Sequence, residues 1–252
     1  MKKLIIANWK SNPATLREAV ALAQKTELAA SGHRGVEIVV APPFPFLGGV
    51  AAVLKAAKLG SQNASWGDTG PYTGEVSWRQ LKSLKVKYVI VGHSERRLFF
   101  GETDEMINKK VHALLECGLA PVLCVGEREQ SGDEMPEEAA QQLKNALAGV
   151  KKSLVKNLIV AYEPVWAIST MPHSRPDTPQ NAFRAHVYIR KVLAALFGRE
   201  QGEKVRIIYG GSVNAKNITP FLIAGHMQGA LVGGASLDIA EFSEIIRATS
   251  QL

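Results

Sequence analysis

Eight short apolar runs, separated by segments of helical periodicity, predict an α/β fold, a single (β/α)8 barrel. The runs are almost continuously apolar, as expected for strands that are covered on both faces. Eight β-then-α units close more naturally into a barrel than into an open sheet. The chain has 252 residues and 46% hydrophobic content. Because this suffices for one substantial core, residues 1–252 are predicted to form a single domain.

The predicted strands are rich in β-branched residues and lie at 4–7, 37–41, 59–62, 88–91, 121–125, 158–161, 206–209 and 229–232. The connection after the fourth strand is a clear example of a predicted helix. Thr103 is a suitable N-cap, Asp104 and Glu105 follow it in the first turn, and Gly118 ends the segment. The sequence therefore predicts a helix between positions 103 and 118.

The connection at residues 62–76 differs from the others. It is rich in glycine, proline and polar residues, too long for a routine turn and not helical in pattern. Trp66, Tyr72 and Thr73 argue against disorder. Large amphipathic side chains on an ordered protrusion suit a protein interface, but they also suit a loop folded on its own surface. The residues alone leave both alternatives open.

Composition limits the possible partners. The chain has 30 Lys and Arg residues and 23 Asp and Glu residues. The resulting net charge of +7 favours an anionic ligand. The charges are dispersed and lack interleaved aromatic residues, so nucleic-acid binding is not expected. The first apolar run is too short for a signal sequence, and no run is long enough for a membrane span. Cys117 and Cys124 lie in apolar surroundings that suit reduced thiols, so we expect a cytoplasmic protein.

Several strands end in residues that are capable of acid–base chemistry. Glu163 follows the run 158–161, where a buried strand passes into a loop. In a barrel of parallel strands, catalytic side chains collect at these carboxyl ends. Asn8 and Lys10 follow the first strand and provide an amide and a cation. His93 opens a predicted helical turn after the fourth strand, where backbone N–H groups and the helix dipole favour a neutral imidazole that can donate to a carbonyl oxygen.

Two glycine-bearing turns follow the seventh and eighth strands. They contain Gly210, Gly211 and Ser212 in one and Gly233 and Gly234 in the other, and each precedes a predicted helix. Such turns form plausible phosphate sites at the position where barrels commonly bind phosphate. Each of these features alone is most often structural. Together, a base, an electrophile, a cation and a phosphate cradle predict proton transfer next to the carbonyl of a small phosphorylated substrate. We expect no cofactor or metal, because no metal-ligand spacing or P-loop pattern occurs.

Six ordered motifs, spread over nearly the whole chain, carry a close resemblance to the triosephosphate isomerase family. They lie at 8–10, 92–97, 123–127, 162–168, 209–212 and 232–236. The resemblance implies a TIM barrel that interconverts dihydroxyacetone phosphate and D-glyceraldehyde 3-phosphate through an enediolate. It also implies a role in glycolysis and gluconeogenesis, without a cofactor.

The resemblance also implies roles for individual residues. Glu163 would shuttle a proton between C1 and C2, the known role of the family's glutamate, and His93 would polarise the carbonyl and move protons between the enediolate oxygens. Lys10 would stabilise the negative charge and Asn8 would orient the substrate. Glu95 would position Lys10.

The remaining implied residues bind phosphate or support the site. Ser169, Ser212, Gly233 and Gly234 match phosphate-contacting positions, and Cys124 matches a supporting position. The loop at residues 62–76 resembles a segment that inserts into a second subunit, where Thr73 would buttress the neighbouring site. The resemblance thus favours a homodimer over a loop that serves only its own chain.

The segment after Ile168 departs from the family pattern. The family's lid continues Gly-Thr-Gly-Lys, whereas this chain continues with Ser169, Thr170, Met171 and Pro172. The segment is also about three residues longer, and its prolines restrict hinge dihedrals. The alternative function is therefore a phosphometabolite-binding barrel with impaired turnover, or an isomerase whose poorly closed lid at 169–174 leaks methylglyoxal.

A second departure lies in the first loop. Ser11 stands where the family often has Met or Cys, and Pro13 follows Asn12. These changes are expected to weaken the dimer contacts around that loop.

Overall fold

Eight parallel strands close into a barrel in the computed structural model, which describes residues 2–130, 137–169 and 174–252. Each strand pairs with the next, and the first pairs with the last through Leu4 with Gly229 to Ala7 with Val232. The strands are β1 Lys3–Asn8, β2 Val36–Ala41, β3 Lys58–Ser61, β4 Tyr88–Val91, β5 Ala120–Val125, β6 Ile159–Tyr162, β7 Arg206–Tyr209 and β8 Gly229–Val232. The predicted (β/α)8 barrel is confirmed, and each predicted strand end lies within one residue of the observed end.

Helices surround the barrel. They are α1 Leu16–Ser31, α2 Leu47–Ala51, α3 Trp78–Ser83, α4 Ser94–Phe100, α5 Asp104–Glu116, α6 Glu137–Ala146, α7 Pro179–Phe197, α8 Arg199–Lys204, α9 Ile218–Ile223 and α10 Ile239–Ser250. The predicted helix after β4 is confirmed as α5, with Thr103 as N-cap and Gly118 in the left-handed region at φ 81°. The helical turn predicted after His93 is α4, whereas the short helix α8 was not predicted from the sequence.

The apolar strand residues divide between two cores. Alternate side chains fill the barrel interior, among them Leu4, Ile6, Val39, Ile90 and Ile208. The others pack between the strands and the helices. Because successive strand residues point to opposite faces and both faces are buried, the strands read as continuous apolar runs.

A polar cluster spans the amino-terminal mouth of the barrel. Tyr88 donates a hydrogen bond to Glu37 at 2.5 Å, and Arg206 donates to Glu37 at 2.7 Å and to the Tyr88 hydroxyl at 3.1 Å. Burial opposes ionisation of Glu37, but these donors outweigh it and lower the pKa of the carboxyl. Burial and Glu37 raise the pKa of Tyr88 to about 12. The cluster connects β2, β4 and β7.

The loop at residues 62–76 contains no helix or named strand, although all of its residues are described. Trp66 and Tyr72 pack edge to face with ring centroids 6.5 Å apart. A Cβ atom at Gly67 would lie 2.5 Å from the Tyr72 ring, so this packing requires glycine there. Tyr72 nevertheless remains 42% exposed. The loop is therefore built around its own aromatic pair and still presents apolar surface.

Two further properties bear on the expectations from composition. Both cysteines are free thiols, with Cys124 buried and Cys117 partly exposed. In the part of the chain that the structure describes, every helix is too short or too polar to cross a bilayer.

Candidate active site

The carboxyl end of β1 brings Asn8 and Lys10 to the mouth of the barrel. Lys10 adopts a left-handed backbone conformation at φ 52°, which is costly for a non-glycine residue. The Asn8 side chain accepts a hydrogen bond from the Lys10 N–H at 3.1 Å, and Gln62 donates to the Lys10 carbonyl at 2.9 Å. The Lys10 ammonium lies 2.5 Å from Glu95 Oε1. Asn8, Gln62 and Glu95 thus fix both the turn and the direction of the cation.

His93 begins the helix α4, as the sequence predicted. Its Nδ1 atom accepts a hydrogen bond from the Glu95 N–H at 3.2 Å. Because an accepting Nδ1 carries a lone pair, the neutral ring holds its proton on Nε2. That Nε2 atom lies 3.3 Å from Glu163 Oε1. The helix start therefore sets the histidine tautomer and leaves its donor facing the carboxylate.

Glu163 follows β6 directly and is only 2% exposed. Its Oε2 atom accepts a hydrogen bond from the Ser94 N–H at 3.0 Å, while Oε1 makes no well-aligned hydrogen bond among the described atoms, although His93 Nε2 lies 3.3 Å away. A buried carboxylate oxygen that is incompletely hydrogen-bonded is costly in a structural role, but it is available for chemistry. Burial and then the adjacent Glu163 raise the pKa of the Cys124 thiol, so Cys124 remains protonated.

A cleft beside His93 joins these groups to the two glycine turns. It is lined by Asn8, Lys10, His93, Ile168, Ser169, residues 210–213, Leu231 and residues 233–235. Ser212 Oγ accepts from the Ser169 N–H at 2.8 Å and donates to the Ala167 carbonyl at 2.8 Å. A Cβ atom at Gly233 would lie 3.9 Å from the Lys10 ammonium, so cation and turn are adjacent. Glu163 contacts His93 but does not itself line this cleft.

Comparison with known proteins agrees with this geometry. A sequence model of the family described as triosephosphate isomerase matches residues 3–249. The chain is 43% identical over 250 residues to the triosephosphate isomerase of Dictyoglomus thermophilum, covering 98% of this chain and 99% of the relative. It is 44% identical over 253 residues to that of Citrifermentans bemidjiense, again covering 98% and 99%. The chain belongs to the triosephosphate isomerase family. This is a family of isomerases, as the motifs predicted.

The structure gathers most of the residues that the triosephosphate isomerase motifs suggested. Asn8, Lys10 and His93 line one cleft with the two glycine turns, and Glu163 and Glu95 each contact a member of that group. Thr73 is exposed in the long loop and does not line the cleft.

The segment that departs from the family's lid pattern lies partly outside the described residues. Ser169 contacts Ser212, whereas Thr170, Met171, Pro172 and His173 lie outside the described residues. The described residues contain no group of three or more potential metal-ligating side chains.

Sequence reasoning missed the roles of two carboxylates beside the family site. Glu127 Oε1 accepts from the Tyr162 hydroxyl at 2.7 Å and from the Trp166 indole at 2.9 Å. Asp177 accepts from the Tyr209 hydroxyl at 3.0 Å. Glu127 lies in a motif that was recognised, so its position after β5 was a usable signal. Asp177 looked like an ordinary residue preceding a helix cap, and its partner is 32 positions away.

Proposed function

We propose that this chain catalyses the reversible interconversion of dihydroxyacetone phosphate and D-glyceraldehyde 3-phosphate. The observation that carries the proposal is the pair formed by Glu163 and His93, with Oε1 and Nε2 3.3 Å apart beside a cleft that contains Lys10. A base and a neutral hydrogen-bond donor at this separation suit proton abstraction next to a carbonyl group. The family membership supports the choice of a triose phosphate.

In the proposed mechanism, Glu163 removes a proton from the carbon next to the carbonyl and later returns it to the other carbon. The Nε2–H group of His93 donates to the carbonyl oxygen and moves a proton between the two oxygens of the enediolate. Lys10 stabilises the negative charge of that intermediate, and Asn8 orients the substrate. The Glu163 carboxylate bonds to the Ser94 N–H at 3.0 Å, so it must leave that donor in order to reach a substrate in the cleft.

The phosphate group would occupy the other end of the cleft. We assign its contacts to Ser169, Ser212, Gly233 and Gly234, with Lys10 close by. Backbone N–H groups at a tight turn attract an anion, and Gly233 and Gly234 keep side chains away from it. Ser212 is already bonded to both Ser169 and Ala167, which supports a shared binding surface.

We further propose that this protein is a cytoplasmic homodimer that acts in glycolysis and gluconeogenesis. Its family is generally dimeric, and the loop at residues 62–76 presents Tyr72 and Thr73 to solvent. Phe99 and Phe100 on α4 are each 69% exposed, which is unusual for large apolar residues. We propose that a second copy covers this surface and that Thr73 supports the partner's site.

Replacing Glu163 with glutamine tests the catalytic assignment. Glutamine preserves the size of the side chain but cannot accept the carbon-bound proton, so we expect kcat to fall by about 100-fold to 10,000-fold. The measurement is isomerisation of glyceraldehyde 3-phosphate by wild type and Glu163→Gln at matched concentrations.

Glu244→Gln is the control, because Glu244 is an exposed glutamate on α10. It should retain wild-type activity, and both variants should unfold at similar temperatures. Equal rates for wild type and Glu163→Gln would refute the assignment of the base. A wild type that binds inorganic phosphate without isomerising the triose would instead support the binding-protein alternative.

A further inference from the structure

Asp177 is a partly buried carboxylate that the proposed mechanism does not use. It lies directly before Thr178, the N-cap of α7. One of its oxygens, Oδ1, accepts from the Thr178 N–H at 2.7 Å and from the Asn181 amide at 2.9 Å. The other, Oδ2, accepts from the Tyr209 hydroxyl at 3.0 Å. Both oxygens are therefore satisfied, although Thr178 and not Asp177 caps the helix.

Tyr209 places this carboxylate against the phosphate turn. It is the last residue of β7 and immediately precedes Gly210, Gly211 and Ser212. A Cβ atom at Gly211 would lie 2.3 Å from the Tyr209 hydroxyl, so the phenol lies directly beneath the turn. The ring also stacks on Phe221, with centroids 4.0 Å apart and an angle of 14° between the planes. A group that fixes this hydroxyl therefore fixes the floor of the phosphate turn.

Asn181 extends the same contact to the other side of the site. Its amide donates to Asp177 Oδ1 and makes a longer bond of 3.5 Å to the Tyr162 hydroxyl. Tyr162 immediately precedes Glu163 and donates to Glu127. The chain of contacts from Asp177 thus reaches the residue before the base and the residue before the phosphate turn.

The electrostatics show why Asp177 needs several donors. Burial raises the pKa of Asp177, and its hydrogen bonds and the charge of Arg184 act in the opposite direction. Burial likewise raises the pKa of Glu127, with a smaller contribution from the charge of Asp177. Two carboxylates near one another in a shielded region are costly. Helix capping does not account for this carboxylate, because Thr178 already caps α7 by accepting from the Asn181 N–H at 3.2 Å.

We propose that Asp177 is a positioning residue of the reaction. It holds the turn at residues 210–212 in place through Tyr209, and it fixes the position of that turn relative to Glu163 through Asn181 and Tyr162. This inference rests on the proposed function. Asp177 does not touch the substrate. It sets the distance between the groups that hold the phosphate and the base that acts two carbons away.

Kinetics of Asp177→Ala, Tyr209→Phe and the double variant test this proposal. Each single variant removes the hydrogen bond between the carboxylate and the phenol, so each should raise KM for glyceraldehyde 3-phosphate by about tenfold and lower kcat less. The double variant should be no worse than Asp177→Ala, because both changes remove one shared contact. Asp177→Asn keeps an oxygen acceptor and should recover most of the loss.

Glu27→Ala is the matched control. Glu27 on α1 also accepts two backbone N–H groups, from Ala56 and Ala57 at 2.7 and 3.0 Å, but it lies near the amino-terminal end of β3. The Glu27→Ala variant should have a lower unfolding temperature than wild type but an unchanged KM. A purely structural role for Asp177 would give the same result as Glu27→Ala. Unchanged KM in Asp177→Ala, or effects that multiply in the double variant, would overturn the proposal.

Hydrogen exchange separates this inference from the proposed function. Backbone amides of residues 206–213 should exchange faster in Asp177→Ala and Tyr209→Phe than in wild type or Glu27→Ala. Hydrogen exchange does not require catalysis, so it reports whether Asp177 holds the turn after β7 even if the wild type fails to isomerise the triose. An inactive wild type with faster exchange in both variants refutes only the proposed function. Unchanged exchange in both variants refutes the proposal that Asp177 holds this turn through Tyr209.

Discussion

At the scale of single residues, His186 on α7 is a partly buried histidine whose buried Nδ1 atom has no hydrogen-bond partner among the described atoms. Burial, followed by the charges of Arg190, His226 and Lys3, lowers the pKa of His186 to about 4. The His226 ring lies 6.4 Å away, measured between ring centroids. The folded protein therefore keeps this imidazole neutral under conditions in which an ordinary histidine, with a pKa near 6.5, would bind a proton.

This depressed pKa predicts a loss of stability in acid. Below about pH 6.5 His186 becomes protonated in the unfolded chain but stays neutral in the folded chain. The contribution of the neutral His186 to the free energy of unfolding is therefore complete above pH 6.5 and is lost as the pH falls toward 4. Because the ring is partly exposed, we expect roughly 1–2 kcal/mol between pH 7.5 and 4.5. Urea unfolding at both pH values measures the difference. His186→Gln should reduce it, whereas His112→Gln on α5 should not, and equal pH dependence in all three proteins would contradict the assignment.

At the scale of elements, the close approach of β5 and β6 determines where Glu163 stands. The Glu163 N–H donates to the Val125 carbonyl at 2.8 Å, which extends the strand pairing beyond β6. A Cβ atom at Gly126 would lie only 1.7 Å from the Glu163 carbonyl oxygen. Gln142 on α6 bonds both the N–H and the carbonyl of Gly126, at 2.9 and 3.1 Å. Gly126 is therefore held in place against the backbone of Glu163.

Gly126→Ala should therefore damage both the fold and the site. The added methyl group meets backbone atoms that cannot rotate away, so we expect a loss of about 3 kcal/mol or more in the free energy of unfolding. The displaced Glu163 should also lower kcat in the folded fraction. Gly48→Ala in α2 is the control, because a Cβ atom there meets nothing within 4 Å, and it should be neutral or slightly stabilising. Similar unfolding free energies for the two variants would count against this account.

The elements of this protein could be predicted from local sequence, because continuous apolar runs and caps such as Thr103 act over a few residues. The grouping of Asn8, Lys10, His93 and Glu163 at one end of the barrel was also predictable, since each of them follows a strand end. Side-chain pairs whose contact depends on the final strand register could not be predicted. Glu37 and Arg206 are 169 positions apart, and Asp177 and Tyr209 are 32 apart. Nothing in the local sequence marks such partners until the barrel has closed.

At the scale of the whole molecule, the exposed loop at residues 62–76 and the exposed phenylalanines of α4 are the surfaces that most need a partner. α4 also carries Ser94 and Glu95, which contact Glu163 and Lys10. A second copy packed on this face would therefore restrain the helix that positions the active site. Association and activity are expected to be linked through α4.

Light scattering over a concentration series should give twice the chain mass of 27.3 kDa. Thr73→Arg places a charge at the proposed contact and should increase the monomer fraction and lower activity at low protein concentration. Leu28→Arg is the control, because Leu28 is 73% exposed on α1, outside the proposed contact. A wild type that stays monomeric at all concentrations would refute the homodimer, as would equal dissociation of the two variants.

The pairing of β1 with β8 has a consequence for synthesis on the ribosome. β1 is synthesised long before its neighbour at residues 229–232. In the interval the N–H and C=O groups along one side of Leu4–Ala7 have no strand to bond, and an apolar edge of this kind readily pairs with other chains. A nascent chain that stalls before residue 229 thus exposes an unpaired strand edge, which is covered only when residues 229–232 have been made.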